Sequence, residues 1–361
     1  MTNYTITLPR WTVGDDALSR IPEICPAYGR TAVLIGGHKA LAAIEPGIRA
    51  AAEGAVDILA TIWYGGEATD ENITRLMDDE QVKKADMVFA AGGGKALDTC
   101  KTLGLRTGKP VITFPTIAST CAAVTAVAIL YHEDGSFKAN QFLPAPPAHA
   151  FIHLPVIAAA PKRYLWAGIG DTYAKYFEAS VSARGDRLTH YHDLGVGVSK
   201  KCLDPLLTYG KQALMDNEAG RVSEALEQVV LTVIVNTGIA SILLTADHII
   251  DYNTALAHAI FYALTAFPDL PIETRHLHGE VVGFGVLALL ALDGQDDMLR
   301  TMIDFNRSIG LPTRLEDIEV TLADLDRVIP KVLRMPDIEH YPYRVTQQAL
   351  RAAFERLEAE A

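Results

Sequence analysis

Short β-branched runs alternate with helical segments through the first half of the chain, and this alternation restricts the fold more than any other feature. TAVLIGG (31–37), DILATIWYGG (57–66), DMVFAAGGG (86–94) and PVITFPTIAST (110–120) read as strands, most of them ending in glycine. Between them lie ALAAIEPGIRAAAEG (40–54), ATDENITRLMDDEQVKKA (68–85) and KALDTCKTLGLRTG (95–108), which read as helices, with Thr69 or Asp70 as a cap for the second. Strands alternating with helices of this length predict a parallel α/β sheet. Such sheets bind ligands at the carboxyl ends of their strands.

The texture changes near residue 130. A hairpin-like turn at Glu133, Asp134 and Gly135 leads into a proline-rich stretch, and from Tyr164 onward apolar residues recur with helical period. The expected organisation is an α/β dinucleotide-binding domain over residues 1–162 and an all-helical, metal-binding domain over 163–361, with a cleft between them. A chain of 361 residues is long enough for two such cores. Lys plus Arg number 32 against 44 Asp plus Glu, which disfavours nucleic acid and anionic membrane as partners. Four scattered cysteines with no CxxC pair fit a reducing cytoplasm, and the N-terminus lacks the apolar core of a signal peptide. Val229–Ala246 carries no charge, but Thr232, Asn236, Thr237, Ser241 and Thr245 interrupt it, and the flanking Glu224, Glu227 and Asp247 offer no basic anchor. It reads as a buried core helix.

Three segments of the first half suit a nucleotide. AGGGKALD (91–98) joins a strand to a helix: Gly93 and Gly94 let the backbone approach a diphosphate, the helix start presents N–H groups, and Lys95 adds a charge. A glycine-rich turn without ligand would look the same. At IGGHK (35–39) a dinucleotide site would place an acid on the ribose hydroxyls. Gly36, Gly37, His38 and Lys39 instead offer space and positive charge, which suits a 2′-phosphate and favours NADP over NAD; an ordinary surface turn is the alternative. FPTIASTCAAVTA (114–126) supplies hydroxyls at Thr116, Ser119, Thr120 and Thr125 for phosphate or nicotinamide.

The helical half holds a possible metal set. Asp171 follows a glycine turn at a helix start, His258 lies in the apolar run LAHAIFYAL, and His278 precedes Gly279 at another helix start. One carboxylate and two imidazoles with open positions would suit catalytic Zn2+ or Fe2+. Spacing alone cannot bring them together, and each His could equally be structural, with His276 the nearest rival to His278.

Taken in order, GGGKALDT, PTIAST, AGIGDTYAKYFEA, AHAI and HGEVVGFG resemble the glycerol dehydrogenase-like branch of the iron-containing alcohol dehydrogenase family, over nearly the whole chain. The resemblance implies a dehydroquinate synthase-like pair of domains and NAD(P)-linked interconversion of a small alcohol and its carbonyl at one divalent metal. It implies Asp171, His258 and His278 as metal ligands and catalytic centre. It places the diphosphate on Gly93, Gly94, Lys95 and Asp98, and the nicotinamide side on Thr116, Ser119, Thr125, Val127 and Tyr131.

Two departures bear on the substrate. Glycerol dehydrogenases carry an acidic residue where this chain has Cys121, and an acidic ribose ligand where it has Gly36 and Gly37. Both changes count against glycerol, and PTIASTCAAVTA, GIGDTYAKYFEA and GQDDML (294–299) are similar to the hydroxycarboxylate dehydrogenase A group, which implies a 2-hydroxy acid and 2-oxo acid pair. Lys175, four residues after Asp171, would share its helix face and could hold a substrate carboxylate, or could be a solvated helix residue. Cys121 could instead be a small packed hydrophobe. A polyol dehydrogenase using NAD is the alternative. A dehydroquinate synthase-type lyase is more remote, because LAHAIFYAL and GFGVLALLAL are too apolar for a phosphorylated substrate. Apolar helix faces in the second half fit a homo-oligomer.

Overall fold

A computed structural model describes residues 4–250 and 252–360. The chain divides into two compact units, Met1–Pro161 with Asp216–Val230, and Lys162–Met215 with Leu231–Ala361.

The first unit is built on a parallel sheet. Strands β1 (Trp11–Gly14), β2 (Thr31–Gly36), β3 (Asp57–Trp63), β4 (Met87–Gly92), β5 (Val111–Pro115) and β8 (His149–His153) lie in the order β1-β8-β5-β4-β2-β3. A separate antiparallel pair, β6 (Val127–Tyr131) and β7 (Phe137–Phe142), turns at Asp134 and Gly135, where the carboxylate of Asp134 accepts the Ser136 N–H at 2.9 Å. The four strands read from sequence are all present. Strands β1 and β8 add two more: β1 is only four residues long, and β8 begins and ends in histidine after a run of prolines, so neither shows a clear apolar run. Helices α1 (His38–Ala52), α2 (Asp70–Asp78) and α3 (Gly94–Thr107) follow β2, β3 and β4. Thr69 is the cap of α2, accepting the Asn72 N–H. The core beneath is aromatic and aliphatic: Phe114 stacks on Phe151 with ring centres 5.3 Å apart, against Phe89, Leu34 and Ile44.

The second unit is helical. Three helices matter for the site: α4 (Lys162–Ser182), α5 (Leu256–Thr265) and α6 (His278–Leu292). Asp171 does not open a helix after a glycine turn, as its sequence setting suggests, but sits in the middle of the 21-residue α4. The neighbouring glycines serve packing instead. A Cβ on Gly170 would lie 2.2 Å from the Gly279 carbonyl oxygen, and one on Gly279 would lie 2.0 Å from that of Ala167. Only glycine lets α4 and α6 cross this closely. The apolar segment Glu224–Leu244, whose residues up to Val230 belong to the first unit, is one long helix with a π turn at Thr232–Asn236. It is long and apolar enough to cross a membrane, yet 72 % of its most apolar window is buried in the fold, as expected of a core helix.

Candidate active site

In the first unit the order of the sheet creates a crevice. From β2 the chain runs outward to β3, then returns to the opposite side of β2 for β4, so the carboxyl ends of β2 and β4 flank a topological switch point. Helices α1 and α3 start there, capped by Gly37 and Gly93, and neither cap has a side chain bonded to the first-turn N–H groups. Gly36 is packed so tightly that a Cβ would lie 2.3 Å from the Ala91 carbonyl. Thr116 donates its N–H to the Gly92 carbonyl at 3.2 Å, and a Cβ on Gly93 would strike Ile117 at 2.6 Å. The segment 116–120, with Ser119 and Thr120 half-buried, therefore lies against the glycine turn. His38 and Lys39 are exposed on the first turn of α1, and the His38 ring is stacked on Trp63.

Two residues expected at the diphosphate are otherwise engaged. Lys95 is exposed, but its ammonium is paired with Glu67 and lies 5.5 Å over the Tyr131 ring. Asp98 turns away from the helix start. It is buried, pairs with the buried Lys101 at 2.7 Å, and accepts the Ile129 N–H at 3.0 Å. Lys101 also donates to the hydroxyl of Thr125 and to the carbonyl of Val127. Its position about two turns into α3 (AGGGKALDTCK) gives no hint of this, since a buried lysine and a surface lysine look alike in sequence. Cys121 is half-buried in the loop before β6.

In the second unit Asp171, His258 and His278 converge. One carboxylate oxygen and two imidazole nitrogens lie within 4.8 Å of one another, the only such group of three among the described residues. His258 Nε2 is 3.5 Å and His278 Nε2 is 3.4 Å from Asp171 Oδ1. The Nδ1–H of His258 donates to Glu178 Oε2 at 2.6 Å, while Glu178 Oε1 accepts the backbone N–H groups of Ala255 and His258 at 2.8 and 2.9 Å. Glu178 thus fixes both the ring and the start of α5. Burial opposes ionisation of Asp171, but the two histidine contacts outweigh it and hold its carboxyl well below the usual range. Burial likewise opposes charge on Glu178, and the charge and N–H groups of His258 reverse that. Burial lowers the His258 pKa, yet the Glu178 and Asp171 charges win and push it up to about 10. His276 bonds Glu280 instead and stays outside the cluster.

Lys175 is buried, and its ammonium donates to both the backbone carbonyl and the side-chain oxygen of Asn253, the latter at 2.8 Å. It is neither a solvated lysine nor an uncommitted cation. Glu178 and Asn253 escaped the sequence reading. The signal for Glu178 is present in the sequence: Asp171, Lys175 and Glu178 at i, i+4 and i+7 put three charges on one face of the mostly buried middle of α4.

The model of the iron-containing alcohol dehydrogenase family matches residues 9–152. Hydroxycarboxylate dehydrogenase A of Escherichia coli K12 is 34 % identical over 335 residues, covering 91 % of this chain and 89 % of the relative. The chain belongs to the iron-containing alcohol dehydrogenase family. Within that family it is also similar to the glycerol dehydrogenase of Thermotoga maritima, at 35 % identity over 80 % of each chain. The crystal structure of glycerol dehydrogenase from Schizosaccharomyces pombe superposes with a TM-score of 0.85 at 25 % identity, covering 99 % of this chain and 91 % of that one. This iron-containing alcohol dehydrogenase relative is thus a metal-dependent alcohol dehydrogenase of the glycerol dehydrogenase type, acting on a small-molecule alcohol.

Proposed function

We propose that the enzyme interconverts a 2-hydroxy acid and its 2-oxo acid, with NADP(H) preferred over NAD(H) and Zn2+ or Fe2+ held by Asp171, His258 and His278. The observation that carries the metal reading is the convergence of those three donors, with His258 oriented by Glu178. Two imidazoles and a carboxylate suit either ion and leave positions open. Held there, a divalent ion supplies Lewis acidity to a substrate hydroxyl or carbonyl oxygen. The protein's own part is orientation: by holding the Nδ1–H of His258, Glu178 turns Nε2 toward Asp171 and His278, where that nitrogen would release its proton and offer its lone pair to a metal.

The crevice at the ends of β2 and β4 suits a nicotinamide dinucleotide, whose role is to carry hydride. The first-turn N–H groups of α1 and α3, which no capping side chain engages, suit its phosphates. Lys95 and Glu67 form a pair on an exposed lysine, worth about 1 kcal/mol or less, so a phosphate can recruit Lys95 at small cost. The absence of an acid from Gly36 to Lys39 supports the 2′-phosphate. Thr116, Ser119, Thr125, Val127 and Tyr131 are proposed for the nicotinamide side.

The choice of a 2-oxo acid rests on charge. The ionised Asp171 and Glu178 balance a divalent ion, and Lys175 then adds a positive charge on the same helix face. Asp337, another buried acid of this unit, bonds Thr254 and is pushed up by burial, toward its neutral form. Two of the three Lys175 N–H groups are committed to Asn253, so Lys175 acts on an anion through its field and at most one hydrogen bond. Cys121 in place of an acid removes a repulsion that could reach about 4 kcal/mol at 4 Å and an effective dielectric of 20. Glycerol with NAD is the second reading, favoured by the Thermotoga maritima relative and by Lys175's bonds to Asn253.

The deciding experiment assays 2-oxo acids with NADPH and NADH, and glycerol and other diols with NADP and NAD, each with Zn2+ or Fe2+. The expected result is the highest kcat/KM for a 2-oxo acid with NADPH, falling at least 10-fold in Cys121→Asp. Preference for glycerol and NAD, unchanged by that substitution, overturns the acid reading.

A further inference from the structure

The paired charges of Asp98 and Lys101 lie on α3, one and two turns after the glycine cradle, and both reach the strand that leads into the β6–β7 hairpin. Lys101 is 1 % exposed and Asp98 9 % at their side chains, with 2.7 Å between them. Among the described residues, every hydrogen-bond partner of either charged group outside the pair belongs to residues 125–129. Lys101 donates to Thr125 Oγ1 at 3.1 Å and to the Val127 carbonyl at 2.5 Å. Asp98 accepts the Ile129 N–H at 3.0 Å. Thr125 closes the group by donating to the same Val127 carbonyl at 3.3 Å.

A buried ion pair seldom adds net stability, because desolvating both charges offsets their attraction. What it supplies here is registry. An apolar contact between α3 and the hairpin would tolerate sliding, whereas three directed bonds to the alternate residues 125, 127 and 129 admit one placement. The helix whose start suits the diphosphate is thereby fixed to the strand proposed for the nicotinamide.

We propose that Asp98 and Lys101 are positioning residues that bolt the nicotinamide-side hairpin to the diphosphate helix, and that neither contacts the diphosphate. This rests on the dinucleotide reading given above. It separates two parts of the cofactor: the ADP-ribose portion is bound without the bolt, and the nicotinamide portion is placed by it.

The test measures Lys101→Met and the milder Thr125→Val, which removes only the hydroxyl that Lys101 reaches, beside the wild type. Three quantities are compared: amide hydrogen exchange across residues 125–142 of the ligand-free enzyme, the Kd of ADP-ribose and of its 2′-phosphate, and the Kd and kcat with the whole reduced dinucleotide. Exchange is expected to quicken at least 10-fold in the hairpin of either variant while the start of α3 stays protected. ADP-ribose affinity should stay within 2-fold, and whole-dinucleotide affinity and kcat should each fall at least 5-fold. Equal losses for ADP-ribose and dinucleotide would overturn the proposal, since they would place the pair on the diphosphate. So would a hairpin whose exchange is unchanged in both variants. If Lys101→Met fails to fold, Thr125→Val decides alone by the same criteria. A wild type that binds neither nucleotide overturns the dinucleotide reading, and the exchange arm still decides whether the bolt exists.

Discussion

Glu178 Oε2 lies 2.6 Å from His258 Nδ1, and the two residues share no solvent: both are buried, and the other Glu178 oxygen takes two backbone N–H groups at the start of α5. One carboxylate therefore fixes the tautomer, the ring plane and the local backbone of a proposed ligand. Glu178→Gln keeps the shape but replaces the charge, and its amide oxygen can serve only part of this set. Loss of such an outer partner typically costs 10- to 100-fold in metal affinity. The expected outcome is a drop within that range for Zn2+, read by competition with a chromophoric chelator. An unchanged affinity would mean that Glu178 orients nothing.

The crossing of α4 and α6 at Gly170 and Gly279 carries Asp171 and His278 on either side of a contact with no room for a methyl group. Gly279→Ala must push the helices apart, and overpacking of this kind typically costs about 1–3 kcal/mol, occasionally more. Because the crossing also sets the distance from Asp171 to His278, metal affinity should fall with stability. Gly197→Ala is the matched control: that glycine is helical and exposed with nothing near its Cβ position, so the change should stabilise by up to about 1 kcal/mol. Urea unfolding of both variants, each with and without metal, checks the pair. Equal stability of the two variants would refute the steric account.

Most of the first unit was legible because period and glycine punctuation speak directly about strands and turns. The four strands ending near Gly36, Trp63, Gly92 and Pro115 have apolar runs long enough to stand out, whereas WTVG and HAFIH do not. Asp171, His258 and His278 were legible as residue types and through the family resemblance, but their convergence depends on a helix crossing between glycines that read as a turn. Glycine marks both a bend and a close approach, and sequence does not distinguish them. Asp98 and Lys175 illustrate the harder limit. Each charge looked available for a ligand, and each is bonded to backbone or side-chain groups of another segment, 31 positions away for Ile129 and 78 for Asn253.

Burial, with a smaller contribution from the Arg10 charge, pushes His149 down to about 4, and its Nε2 sits 2.9 Å from the Thr12 hydroxyl. The fold therefore prefers the neutral ring, while the unfolded chain titrates near 6.5. Below that value the unfolded state binds a proton that the folded state refuses, so this group's contribution is full above about pH 6.5 and is lost as pH falls toward 4. His149→Gln removes the titration. The difference in unfolding free energy between wild type and variant should be flat above pH 7 and should shift against the wild type from pH 6.5 to 4, measured by urea denaturation. A pH-independent difference would show that His149 does not stay neutral in the fold.

The proposed preference for NADP rests on two adjacent glycines with different constraints. Gly36 cannot accept a side chain, because its Cβ would meet the Ala91 carbonyl at 2.3 Å, but Gly37 has its nearest neighbour, the Tyr64 ring, at 3.5 Å. Gly37 is also the cap of α1, with ordinary extended backbone (φ −81°, ψ 150°) and no capping side chain. Aspartate suits that position, since its carboxylate can accept first-turn N–H groups. The same carboxylate would repel a 2′-phosphate and could accept from a ribose 2′-hydroxyl. Gly37→Asp should therefore be tolerated in stability, lower kcat/KM for NADPH at least 10-fold and raise the NADH to NADPH ratio further. Steady-state kinetics with both reduced cofactors at one fixed substrate concentration reads this directly. If the ratio stays where the wild type has it, the end of β2 does not contact the adenosine ribose, and the preference must be sought away from His38 and Lys39.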